Sequence, residues 1–65
     1  MPTHPCRPIR EMIADLQDSI RAHEALLDEA PKSMKPVILA NIRKEKQHLA
    51  QLRVALRACE TAHRA

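Results

Sequence analysis

The sequence predicts an all-α protein, an antiparallel two-helix hairpin that dimerises into a four-helix bundle. Three observations lead there. Two stretches carry apolar residues at alternating steps of four and three, the spacing that lays side chains along one helix face. The chain has no glycine and no strand-like alternation of β-branched residues, so nothing in it builds a β-hairpin. A single proline-flanked segment, APKSMKP, is the only turn-like stretch in the interior.

The 65 residues make one small domain with no Trp, Tyr or Phe, so the largest contributors to core energy are missing. Self-association, a partner, a crosslink or a metal is expected to make up the shortfall. No run approaches the roughly 18 apolar residues of a membrane span, and no membrane contact is expected. The N-terminal MPTHPCRPIR lacks the apolar segment of a secretory signal. A cytoplasmic location follows as the expectation, with thiols reduced there.

Residues 1–7 form a proline-rich tail, because Pro2, Pro5 and Pro8 each lack an N–H and restrict the residue before them. Pro8 suits the first helical position, where a missing donor costs nothing. The first helix is predicted over 8–30, with the seam Ile9, Ile13, Leu16, Ile20, His23, Leu27 and Ala30. Met12 and Leu26 flank this seam and widen its apolar face, as a bundle helix requires. Pro31 ends the helix, and the turn occupies 31–35.

Ser33 is placed as the N-cap of the second helix, over 33–61, which puts Pro36 within the tolerated first turn. The seam of this helix is Ile38, Ile42, Glu45, Leu49, Leu52, Leu56 and Cys59. A carboxylate thus sits where the seam should be most apolar. The hairpin closes at about residue 62, with 63–65 frayed. So short a connection makes the helices antiparallel. Centring the turn between Lys32 and Ser33 pairs residues whose numbers sum to 65. Ile9 then faces Leu56, Ile13 faces Leu52, Leu16 faces Leu49, and Leu27 faces Ile38. The two exceptions to apolar pairing are Ile20 opposite Glu45 and His23 opposite Ile42.

Two helices alone leave apolar surface uncovered, and a homodimer is the simplest closure. Ile13, Ile20, Leu26, Leu27, Leu39 and Ile42 are expected to form much of the association surface. Charge divides unevenly. Residues 8–30 carry a net −4 and residues 33–65 a net +5, within an overall +3. The basic face of the second helix comprises Arg43, Lys46, Arg53, Arg57 and Arg64. Such a stripe could follow nucleic-acid phosphates. With no aromatics for base stacking, a solvated face partly neutralised by the first helix is the stronger reading. Covalent catalysis finds no support, because Ser19, Ser33 and Thr61 have no histidine–carboxylate arrangement around them in this register.

Two constellations could hold a metal. Glu45 and His48 stand one turn apart, where both can reach one ion. The segment Ser19-Ile-Arg-Ala-His-Glu-Ala-Leu-Leu-Asp-Glu-Ala30, the proline-containing turn, and Ile38-Leu-Ala-Asn-Ile42-x-x-Glu45-x-x-His48-x-x-x-Leu52 together resemble the helical hairpin of rubrerythrin-type ferritin-like proteins. That resemblance implies iron or manganese on Glu45 and His48, with further ligands from an oligomer; by its place on the seam, His23 is a substitute inner ligand. The family's first-helix carboxylate has no counterpart, since the inward positions nearest His48 are Leu16 and Ile20. The residues themselves favour no cofactor, with Glu45 and His23 forming a buried polar contact that sets register.

The second constellation lies at the open end. The register sets Cys6 opposite Cys59, with His4 two residues before the one and His63 a turn beyond the other. Three readings stand: a disulfide, a closed tetrahedral zinc site of His4, Cys6, Cys59 and His63, or two unlinked cysteines. The leading function is a non-enzymatic interaction or assembly module that pairs with itself or with a partner protein.

Overall fold

A computed structural model describes residues 4–64. Two helices, α1 (Arg7–Glu29) and α2 (Lys35–Ala62), lie antiparallel and pack along their whole length. The molecule is a slat of 51 × 21 × 11 Å. It is long and thin because a lone helix pair has one contact layer and no third element to cover it. No helix among the described residues is long and apolar enough to cross a membrane.

Each helix end has a local cause. At the start of α1 the N–H of Arg7 donates to the carbonyl of His4 (2.9 Å), and that of Cys6 donates to His4 Nδ1 (3.1 Å). Pro8, the second helical residue rather than the first, has no N–H to satisfy. His4 thus satisfies the N–H groups of Cys6 and Arg7 where the chain enters the helix. At the other end Ala30 is extended (φ −72°, ψ 147°) and leaves the helix at Glu29. Pro31 causes this, because its ring disfavours the α conformation in the preceding residue.

The turn corrects one assignment. Ser33 does not cap α2; Met34 occupies the N-cap position, with no side-chain cap. The carbonyl of Pro31 accepts the N–H groups of Met34 (2.9 Å) and Lys35 (3.3 Å). Pro36 has no N–H to offer. The donors that a Ser33 cap would serve are thus already bonded or missing, and the turn runs straight into α2.

The seam is as the periodicity places it. Every seam residue of α1 is buried or half-buried, joined only by Gln17 and Ser19. In α2 the seam is likewise covered, joined only by Lys35. Ile20, Ile38, Ile42 and Leu49 make the core cluster, with Ile13, Leu16, Leu27 and Ala30 packed around it. Ile20 and Ile42, expected on the association surface, lie in the core of the hairpin itself. Both point at the facing helix, and the antiparallel closure covers them. Of the expected association residues, Leu26 and Leu39 remain exposed, together with Met12, Met34, Val37 and Val54.

Candidate functional site

Two places in the hairpin gather chemistry-bearing side chains. The first is at its middle. Glu45 enters the seam from α2 and meets two polar residues of α1, one on each oxygen. The Ser19 hydroxyl donates to Oε2 at 2.5 Å, and His23 Nδ1–H donates to Oε1 at 2.6 Å. Ser19 and His23 are one turn apart on α1, so a single carboxylate reaches both. The Glu45 side chain is 17% exposed and that of His23 36%, so the contact lies at the seam's edge. No buried polar side-chain atom among the described residues lacks a partner.

Sequence reasoning anticipated the Glu45–His23 contact and missed Ser19. The register gives Ser19 no histidine–carboxylate arrangement; the structure places its hydroxyl against Glu45, which itself holds His23. A serine one position before a seam residue opposite an unpaired carboxylate was the available signal. The order of the three groups decides what they can do. The carboxylate lies between hydroxyl and imidazole, so no ring nitrogen is bonded to the Ser19 oxygen to take its proton, as nucleophile activation needs. This arrangement holds a carboxylate.

The hydrogen bond from Ser19, and after it that from His23, keep the Glu45 carboxyl below the ordinary glutamate range, outweighing the opposing effect of partial burial. A carboxyl whose folded pKa is depressed stabilises the fold above its unfolded value and loses that contribution as pH falls through the folded one. The hairpin should therefore lose stability on acidification below about pH 4.3, the ordinary glutamate value. A Glu45→Gln variant should show a flatter acid limb in chemical denaturation. Identical limbs in the two proteins would mean that Glu45 is not held in this way.

His48, three residues on, does not join the Glu45 contact. It lines a groove on one face with Met12, Asp15, Leu16, Ser19 and Leu52. Both Glu45 oxygens are engaged within the hairpin. The basic residues are also dispersed. Lys46 and Arg53 line a groove with Gln17, Ile20, Arg21 and Leu49. Lys46 sits 3.6 Å from Glu24 of α1, the cross-helix neutralisation that the opposite charges suggest. Such exposed pairs contribute little individually. Arg43, Arg57 and Arg64 are exposed along α2 and beyond its end.

The second gathering is at the open end. Cys6 and Cys59 lie opposite each other, as the register requires, with Cα atoms 5.8 Å apart and sulfurs at disulfide distance. Cys6 is fully buried. His4 packs on one side through its bond to the Cys6 N–H. On the other side His63 follows Cys59 by one turn and donates its N–H to the Cys59 carbonyl at 3.0 Å. The two imidazoles meet edge-on, with centroids 6.5 Å apart. Arg10 and Glu60 pair at 2.6 Å beside them and tie the same ends of α1 and α2.

Fold and sites together define the class: an all-α helical hairpin with a cysteine pair at its open end and a carboxylate held in its seam. No protein-family model, curated protein or solved structure matches the chain.

Proposed function

We propose that the chain is a non-enzymatic helix-pairing module that assembles with a second copy of itself into a four-helix bundle. The observation that carries this reading is the exposed apolar face at Met12, beside half-buried Leu16 and buried Leu52. These three form the apolar part of the groove that Asp15, Ser19 and His48 complete. Met12, Ser19 and Leu26 follow one another at heptad spacing, so exposed Met12 and Leu26 extend the groove along one face of α1. Leu39 falls on the other face, at heptad spacing from Lys46 and Arg53. The opposite groove is bordered by Arg21, Lys46 and Arg53, two of them paired with Asp18 and Glu24, so stacking it on its own copy would take charged side chains out of water on both sides. The Met12 face carries no such cluster and is the one to pair.

A chain of this size gains little from a single seam. A second copy would bury the same Leu and Met side chains at roughly 25 cal/mol per Å² of apolar area removed from water. Sedimentation equilibrium tests the reading. Wild-type protein should be dimeric above micromolar concentration. A Met12→Glu, Leu26→Glu variant should be monomeric yet helical, because both side chains already face water. Leu39→Glu should leave the dimer intact. A monomeric wild type, or a dimer lost only on changing Leu39, would overturn the assignment of this face.

A further inference from the structure

We propose that the open end of the hairpin is a redox-gated zinc site, closed as a disulfide when oxidised and able to take one zinc ion on His4, Cys6, Cys59 and His63 when reduced. It stands apart from the pairing face and does not depend on dimerisation.

Four side chains of zinc-binding type converge at this one place from opposite ends of the chain. The fold itself brings them together, since the antiparallel register sets residue 6 against residue 59. Each histidine is tied by backbone geometry to its own cysteine. His4 Nδ1 accepts the Cys6 N–H at 3.1 Å, so an imidazole lone pair already points at the backbone of Cys6. A small ring rotation turns that lone pair from the amide to a metal beside the Cys6 sulfur. His63 is the C-cap residue of α2, four residues after Cys59, and its N–H donates to the Cys59 carbonyl, which keeps the imidazole at the same end of the helix as the thiol. The rings stand with centroids 6.5 Å apart. Two imidazoles on one tetrahedral zinc, each with Zn–N of about 2.0–2.1 Å, have centroids roughly 5 Å apart. Side-chain rotation of the order of 1 Å closes that difference without moving either helix.

The same geometry explains why the oxidised form holds no such site. With the sulfurs bonded to each other there is no thiolate to donate. The S–S bond breaks and two thiols form when a dithiol supplies two electrons and two protons and becomes a cyclic disulfide, or when a phosphine takes the oxygen of one water, whose two protons go to the sulfurs, and becomes a phosphine oxide. Zinc binding forms two Zn–S and two Zn–N bonds and releases those two protons. In reverse, hydrogen peroxide takes two electrons from the thiolates. The S–S bond re-forms, the metal leaves as Zn²⁺, and peroxide with two protons becomes two waters. Either state clamps the start of α1 to the end of α2, so the hairpin is held closed under both conditions.

Elemental analysis and cobalt substitution test the proposal on the full chain. Protein reduced with a phosphine and dialysed anaerobically against zinc should hold one metal per chain, and oxidised protein none. With cobalt, the reduced chain should show thiolate-to-metal charge transfer and tetrahedral d–d bands that peroxide abolishes. A His4→Ala, His63→Ala variant keeps both cysteines, so its fold can be confirmed by circular dichroism in the oxidised form. Its zinc affinity, once reduced, should fall by more than the roughly 10–100-fold that outer-shell changes produce. Reduced protein that takes no metal, oxidised protein that takes as much, or a histidine variant that binds as tightly would each overturn the site. One metal per two chains would show cysteines bridging protomers and would overturn it equally.

Discussion

Leu49→Asp should leave the chain without a folded state at room temperature once the Cys6–Cys59 link is reduced. Leu49 is only 8% exposed and sits in the core cluster with Ile20, Ile38 and Ile42. Losing a buried leucine costs about 2–5 kcal/mol when the replacement is merely small. An aspartate adds the desolvation of a carboxylate, which Arg21, Lys46 and Arg53 around that groove offset only in part. One core of this size supplies only about 3–5 kcal/mol, so with the Cys6–Cys59 link reduced the two effects together exceed the stability that remains. Circular dichroism and gel filtration should show lost helicity and, with it, lost association. Val54→Asp makes the matched control on the same helix. Val54 is 67% exposed, and the change there should stay within about 0.5 kcal/mol. A helical, dimeric Leu49→Asp protein would mean that the seam is wrongly assigned.

Breaking the Cys6–Cys59 link should cost about 4 kcal/mol, the chain-entropy value for a closed loop of this length. The bond spans 53 residues, nearly the whole chain, so it restricts the unfolded state about as far as one crosslink can. For a domain of this size that corresponds to a fall in Tm of roughly 15–30 °C. Melting curves with and without reductant, in the presence of a chelator, read it directly. A Cys6→Ala, Cys59→Ala variant should melt where the reduced wild type does. Equal melting temperatures for oxidised and reduced protein would show that the link adds nothing to the fold. Restoration of the lost stability by zinc in the reduced wild type, and not in the double cysteine variant, would join this result to the proposed metal site.

The helices and their seams were legible because each is a local property. Apolar residues at steps of four and three name a face whatever lies opposite it, and Pro31 sets Ala30 extended from the adjacent position. Register was legible for a related reason. With one short turn there is a single pairing to choose, and apolar must meet apolar at Leu16 and Leu49 as at Ile13 and Leu52. That pairing already placed Cys6 beside Cys59, though not in which chemical state. Capping was misread at Ser33, since residue type alone does not reveal that Pro31 has already taken the N–H groups a cap would serve.

By itself, then, the sequence determined two helices, their antiparallel order, the residues of the seam and the meeting of the two cysteines. Only the tertiary structure decided where individual side chains turn. Glu45 could have swung along its own helix to His48, and instead it spans to Ser19 and His23. Ile20 and Ile42 could have stayed on the surface, and the closed hairpin buries them while Met12 and Leu26 remain in water. The physical reason is common to all these cases. Periodicity places a residue to within about one face of a helix. A hydrogen bond to an oxygen 2.5 Å away depends on the azimuth and rotamers of two helices at once.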